Sequence, residues 1–142
     1  MKKLILSFSA LFLSVAVIAQ NSYKLQPKVT AGDYMANTII FKVKETFRPS
    51  CTEQGVNIAS LQKSFNAINI TSVNKIFKNE KPPRDKFNKD GFPLTDLSLI
   101  YECKYSGGAP IEKAITALLS SNALEYAEPH FIPVTTYTTN DP

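Results

Sequence analysis

Leu97-Ser98-Leu99-Ile100-Tyr101-Glu102-Cys103-Lys104-Tyr105 alternates, and Gly107-Gly108 follows it almost at once. Leu97, Leu99, Tyr101, Cys103 and Tyr105 fall on one side at the period of two that a strand requires. The other side, Ser98, Ile100, Glu102 and Lys104, is mixed rather than wholly polar, which leaves room for cover on both faces. After the glycine turn, Pro110 stands in the first turn of a predicted helix, where its missing N–H is no loss. Ile111, Ala114, Ile115 and Leu118 trace one apolar stripe along that helix. Ser120-Ser121-Asn122 ends it, and a last strand is expected from about Ala123 to Phe131.

Working toward the N-terminus, Asn79 to Thr95 holds three prolines, Gly91 and mixed charge, so it reads as a long exposed excursion between strands. Ile70 to Lys78 precedes it as a strand with Val73 and Phe77 among its apolar positions. Ile58, Leu61, Phe65 and Ile68 recur at helical spacing, with Asn57 placed to cap the start and an end near Ala67. In Thr38-Ile39-Ile40-Phe41-Lys42-Val43-Lys44, Ile39, Phe41 and Val43 share one face, opposite Lys42 and Lys44: a first strand. The order β-α-β-β-α-β predicts an α+β, ferredoxin-like domain, a four-stranded antiparallel sheet with both helices on one face. The other face is then bare, and a bare face carrying Tyr and Ile calls for a partner.

The N-terminus carries Lys2 and Lys3, an apolar run from Leu4 to Ile18, and small residues Val17 and Ala19 before a cut. That is the pattern of a signal peptide, residues 1–19. The run is short for a membrane span of ~20 residues. Secretion or export to a periplasm is expected, with no membrane attachment after signal removal. Residues 20–36 are polar and aperiodic, a loose N-terminal arm. Residues 37–133 form the domain, and 134–142 a C-terminal tail. Without the signal the chain holds 14 basic and 12 acidic residues, a balance that does not demand nucleic acid. Cys51 and Cys103 are permitted a disulfide by export. Otherwise they are one core thiol and one loop thiol. Neither a CxxC pair nor a His/Cys cluster appears, so no metal or other cofactor is expected.

Catalysis finds no support in the residues. His130 is the single histidine, and no Gly-flanked serine, paired-carboxylate or phosphate-cradling motif accompanies it. Arg48 and Arg84 lack the context of an anion cradle. The basic residues from Lys75 to Lys89, among them Lys78, Lys81 and Lys86, superficially fit an RNA-binding sheet, but the aromatic strand pattern is missing and the signal leads away from RNA.

Three stretches carry a resemblance: Asn37 to Lys44, Asp96-Leu97-Ser98-Leu99-Ile100-Tyr101, and above all Ala123-Leu124-Glu125-Tyr126-Ala127-Glu128-Pro129. Together they resemble the inhibitory propeptides of secreted subtilisin-like serine proteases, with the middle stretch and its long preceding loop closest to the fervidolysin-type prodomain. The resemblance covers about Tyr34 to Pro142, without a catalytic domain, and its specific part is the last strand. It implies a non-catalytic chain that acts as intramolecular chaperone and temporary inhibitor of a subtilisin-like catalytic domain. In such propeptides the bare sheet face packs on two surface helices of the protease, and strand acids cap the N-termini of those helices, where unpaired N–H groups and the helix dipole favour a carboxylate.

Glu128 matches the first capping acid, and Tyr126 lies on the same strand. His130 stands where a second acid is usual, a departure that weakens a two-carboxylate clamp. The resemblance further implies that Val134, Thr135, Thr136 and Tyr137 lie product-like in the active-site cleft, with Tyr137 in the primary specificity pocket and Val134 in a hydrophobic subsite. The segment after Tyr137 would open the mature enzyme. The 79–95 excursion is the natural place for a second, releasing cut. The alternative within the binding class is a stand-alone secreted protease inhibitor or another secreted binding module.

Overall fold

The computed structural model describes residues 22–133. Its main elements are β1 (Tyr34–Val43), α1 (Ala59–Ala67), β4 (Ile70–Lys75), β5 (Ile100–Tyr105), α2 (Ile111–Leu119) and β6 (Leu124–Phe131), with a two-residue hairpin, β2 (Cys51–Thr52) and β3 (Gly55–Val56), before α1. The sheet order is β4-β5-β1-β6, with every neighbouring pair antiparallel. This is the ferredoxin-like βαββαβ arrangement that the sequence predicts.

Period-two and period-3.6 patterns meet in one core. Ile39, Phe41 and Val43 of β1 and Tyr101, Cys103 and Tyr105 of β5, with Leu99 just before it, are buried on a single sheet face. Against them lie Leu61 and Phe65 of α1 and Ile111, Ala114, Ile115 and Leu118 of α2. The Phe41 ring stacks on Tyr101 with centroids 5.7 Å apart and meets Phe65 at 6.1 Å. Pro129 is fully buried within β6. Proline is tolerated there because β6 is an edge strand and needs hydrogen bonds on one side only.

Three asparagines set the corners. Asn69 ends α1 and Asn122 follows α2, each in the left-handed region (φ 54° and 56°), while Asn37 takes φ 54° where the β1–β6 register shifts. Asparagine accepts this conformation more readily than other residues with a Cβ. The Asn69 carbonyl accepts from Ser106 N at 3.0 Å, tying the end of α1 to the β5–α2 turn. In that turn Gly107 combines φ 98° with the Asn69 amide 3.0 Å from where a Cβ would stand, so both conformation and space require glycine.

Several boundaries differ from the sequence reading. Asn57 does not cap α1; Ile58 is the N-cap, and no side chain bonds there. The third strand is shorter, because the Asp96 carboxylate accepts from Ser98 N at 2.9 Å and winds Leu97–Leu99 into a 3-10 turn before β5 starts. The second strand stops at Lys75. The arm is not loose: Tyr23 N donates to Thr116 Oγ1 at 3.0 Å and Leu25 N to a Glu112 carboxylate oxygen at 2.7 Å, so both residues lie along α2 and pack against the core. Two alternating apolar residues are too few to register as a period, which is why the sequence leaves them unstructured.

The Cys51–Cys103 disulfide is not formed; both are free thiols. Cys103 is wholly buried in mid-β5, while Cys51 lies in the hairpin and its thiol donates to the Phe47 carbonyl at 3.4 Å. Tyr101 is the β5 residue that reaches the hairpin, its hydroxyl donating to Thr52 O at 2.8 Å. Cys103 is two residues, roughly 7 Å, farther along the strand.

Candidate docking face

The sheet face opposite the helices is assembled by register. One row runs Ile100, Lys42, Tyr126 across β5, β1 and β6; the next runs Glu102, Ile40, Glu128. Ile40 therefore stands between two carboxylates from different strands. His130, one pleat beyond Glu128, reaches back over β1, and its Nδ1 lies 2.7 Å from a Glu102 carboxylate oxygen. The pair spans three strands and closes one end of a groove of about 330 Å³. Ile76, Phe77 and Leu97, the two roots of the long excursion, form its opposite wall. Their cover explains why Ile100 is buried although it points away from the helices.

Lys42 is taken up from within. A register shift after Lys42 bulges β6, so that Glu125 turns toward it, and Lys42 Nζ lies 3.0 Å from the Glu125 carboxylate. Burial, with the charges of Glu128 and Glu125, pushes the Tyr126 phenol above its ordinary value. Tyr126 is thus a neutral, half-buried aromatic between acids. Glu128 itself is exposed on the edge strand, free of any ion pair among the described residues. The face offers an apolar floor with outward carboxylates, a chemistry suited to donor-rich ends of secondary structure in a partner.

The structure places Tyr126, Glu128 and His130 together on one face. It adds Ile40, Ile100 and Glu102, which the sequence reading used only as strand positions. Glu102 is 28 residues from His130 in the chain, and only the register of two non-adjacent strands joins them. No hydroxyl or thiol other than the Tyr126 phenol lines this groove. Among the described residues no three His, Cys, Asp or Glu side chains gather as metal ligands. Val134, Thr135, Thr136 and Tyr137 lie outside the described residues, as do residues 1–19, which the sequence reads as a signal peptide. The described chain leaves β6 at Phe131, whose ring meets Tyr34 edge-on at 6.5 Å, and Ile132 N still donates to Asp33 O at 2.9 Å.

Arg48, also singled out by sequence, is engaged elsewhere. It pairs with Asp96 and donates to Ser98 Oγ at 2.9 Å, pinning the 3-10 turn that opens β5. No protein-family model, no curated protein and no solved structure matches the chain.

Proposed function

We propose that this domain is the inhibitory and chaperoning propeptide of a secreted subtilisin-like serine protease, docking by its open sheet face and leading its tail into the active-site cleft. The observation that carries the reading is the exposed Glu128 beside Tyr126 and Ile40 on a helix-free sheet face, on the strand from which the C-terminal tail departs. A carboxylate at a helix N-terminus of the protease gains charge-assisted hydrogen bonds worth ~1–2 kcal/mol in a partly buried site. The apolar floor supplies the rest of the affinity by losing contact with water. A tail that follows this edge strand into the cleft would add main-chain hydrogen bonds there.

The His130 position changes the clamp. Its bond to Glu102 ties it into the groove wall, so Glu128 is the carboxylate of this strand left to cap a partner helix, with Glu125 held by Lys42. The test is a progress-curve assay with residues 20–142 against subtilisin-type proteases, beside a form ending at Phe131. Slow, tight inhibition that fades with time and weakens strongly on truncation is expected. A folded domain that inhibits none of several such proteases would refute the reading.

A further inference from the structure

We infer that the excursion between β4 and β5 is a second docking element, which binds an acidic, partly apolar strip on the same partner that covers the sheet face. The inference rests on the proposed docking of that face. Of the eight large hydrophobic side chains exposed among the described residues, five lie between Ile76 and Leu94. Phe87 is 58% exposed and Phe92 67%, values unusual for phenylalanine in a domain with its own filled core.

The tip that carries them is built rather than frayed. Asn88 N donates to Phe92 O at 2.8 Å, Leu94 N to Lys86 O at 2.9 Å, and the Asn88 side chain accepts from Phe92 N at 2.8 Å. A bridge between Phe87 and Pro93 closes the turn. Held backbone beneath exposed aromatic rings lowers the ordering cost of binding through them.

Charge selects the partner. Between residues 78 and 90 five basic side chains stand against three acids. The sheet face has the opposite sign, with Glu102, Glu125 and Glu128 against Lys42. A single protein surface that meets both must be donor-rich opposite the sheet and acidic opposite the excursion. Because Ile76, Phe77 and Leu97 wall the groove, the excursion leaves and rejoins the fold at the edge of the sheet-face patch, where one partner can meet both. Aromatic anchors ringed by complementary charge are the usual seat of binding energy at such contacts.

The test measures inhibition of a subtilisin-type protease by residues 20–142 carrying Phe87→Ser and Phe92→Ser together, and separately Lys81→Glu with Lys89→Glu. The aromatic pair is expected to raise the inhibition constant about tenfold or more with the urea midpoint unchanged. The charge pair is expected to slow association at low salt and to lose that effect near about 0.5 M salt. An inhibition constant within about twofold of the parent for both variants would overturn the inference while leaving the sheet-face reading intact. No inhibition by the parent chain would overturn both. Binding of the parent to phosphatidylglycerol vesicles that is lost in the aromatic variant, with its protease inhibition unchanged, would assign the excursion to a lipid surface and overturn the inference.

Discussion

Asp96 illustrates how much one side chain organises. Its carboxylate accepts from Ser98 N and Oγ and pairs with Arg48, so the 3-10 turn, the start of β5 and the segment after β1 are joined at one point. Burial alone would raise its pKa, but the bonds from Ser98 and Arg48 outweigh burial and hold the carboxyl below its ordinary value. A depressed folded value stabilises the protein above the unfolded value near ~4, and that contribution fades as pH falls through the folded one. Asp96→Asn is therefore expected to cost about 1–2 kcal/mol at neutral pH, with the gap in urea midpoint narrowing as pH falls from neutral to below the unfolded value near ~4. A gap of constant size across that range would contradict the assignment. The thiols give a second residue-scale prediction. Burial pushes Cys103 up to about 12, and burial also raises Cys51. With a disulfide reagent near about pH 8, the folded protein should expose Cys51 slowly and Cys103 only on unfolding. Fast reaction of both would show that the core opens.

At the scale of elements, the arm and the excursion are opposites. Residues 23–25 spend two backbone hydrogen bonds and two apolar side chains on α2. Deleting residues 20–32 is expected to lower stability by about 1–3 kcal/mol, read from urea denaturation, since both bonds and partial burial are lost. An unchanged midpoint would mean that the arm rests on α2 without contributing. The excursion, by contrast, has no buried side chain from Phe77 to Thr95. Limited trypsin treatment of the free domain should cut first between Lys78 and Lys89, and a first cut within α1 or α2 would contradict the fold. These elements also mark what sequence could tell. Ile39, Phe41 and Val43, the α2 stripe and the alternation from Leu99 to Tyr105 are local periodic signals that become core as read, whereas Leu97, read on the same side, is turned into the groove wall by the 3-10 turn. Phe77 was drawn into a strand because an apolar residue at the right parity looks like strand, yet it walls the groove from a loop. The packing of the arm on α2 and the β2–β3 hairpin are not legible in the sequence, because segments this short carry no period and their position is set by contacts with distant parts of the chain. Glu102 and His130 are each visible in sequence, but their meeting depends on strand order, which no local pattern encodes.

Across the described molecule, one face of the sheet is consumed by folding and the other is free of helices, the face proposed to dock. The helix-covered face holds the core, so substitutions on the open face should change binding with little effect on stability. Tyr126→Arg is such a change: under the proposed docking it places a cation where the positive ends of partner helices would sit. The most direct measurement titrates residues 20–142 into a subtilisin-type protease whose catalytic serine is covalently blocked, so that the tail contributes least. The account predicts saturable one-to-one binding that persists in the form ending at Phe131 and weakens about tenfold or more in Tyr126→Arg, with its urea midpoint unchanged. Absence of binding, or equal binding by the Tyr126→Arg protein, would contradict the claim that this face is the docking surface.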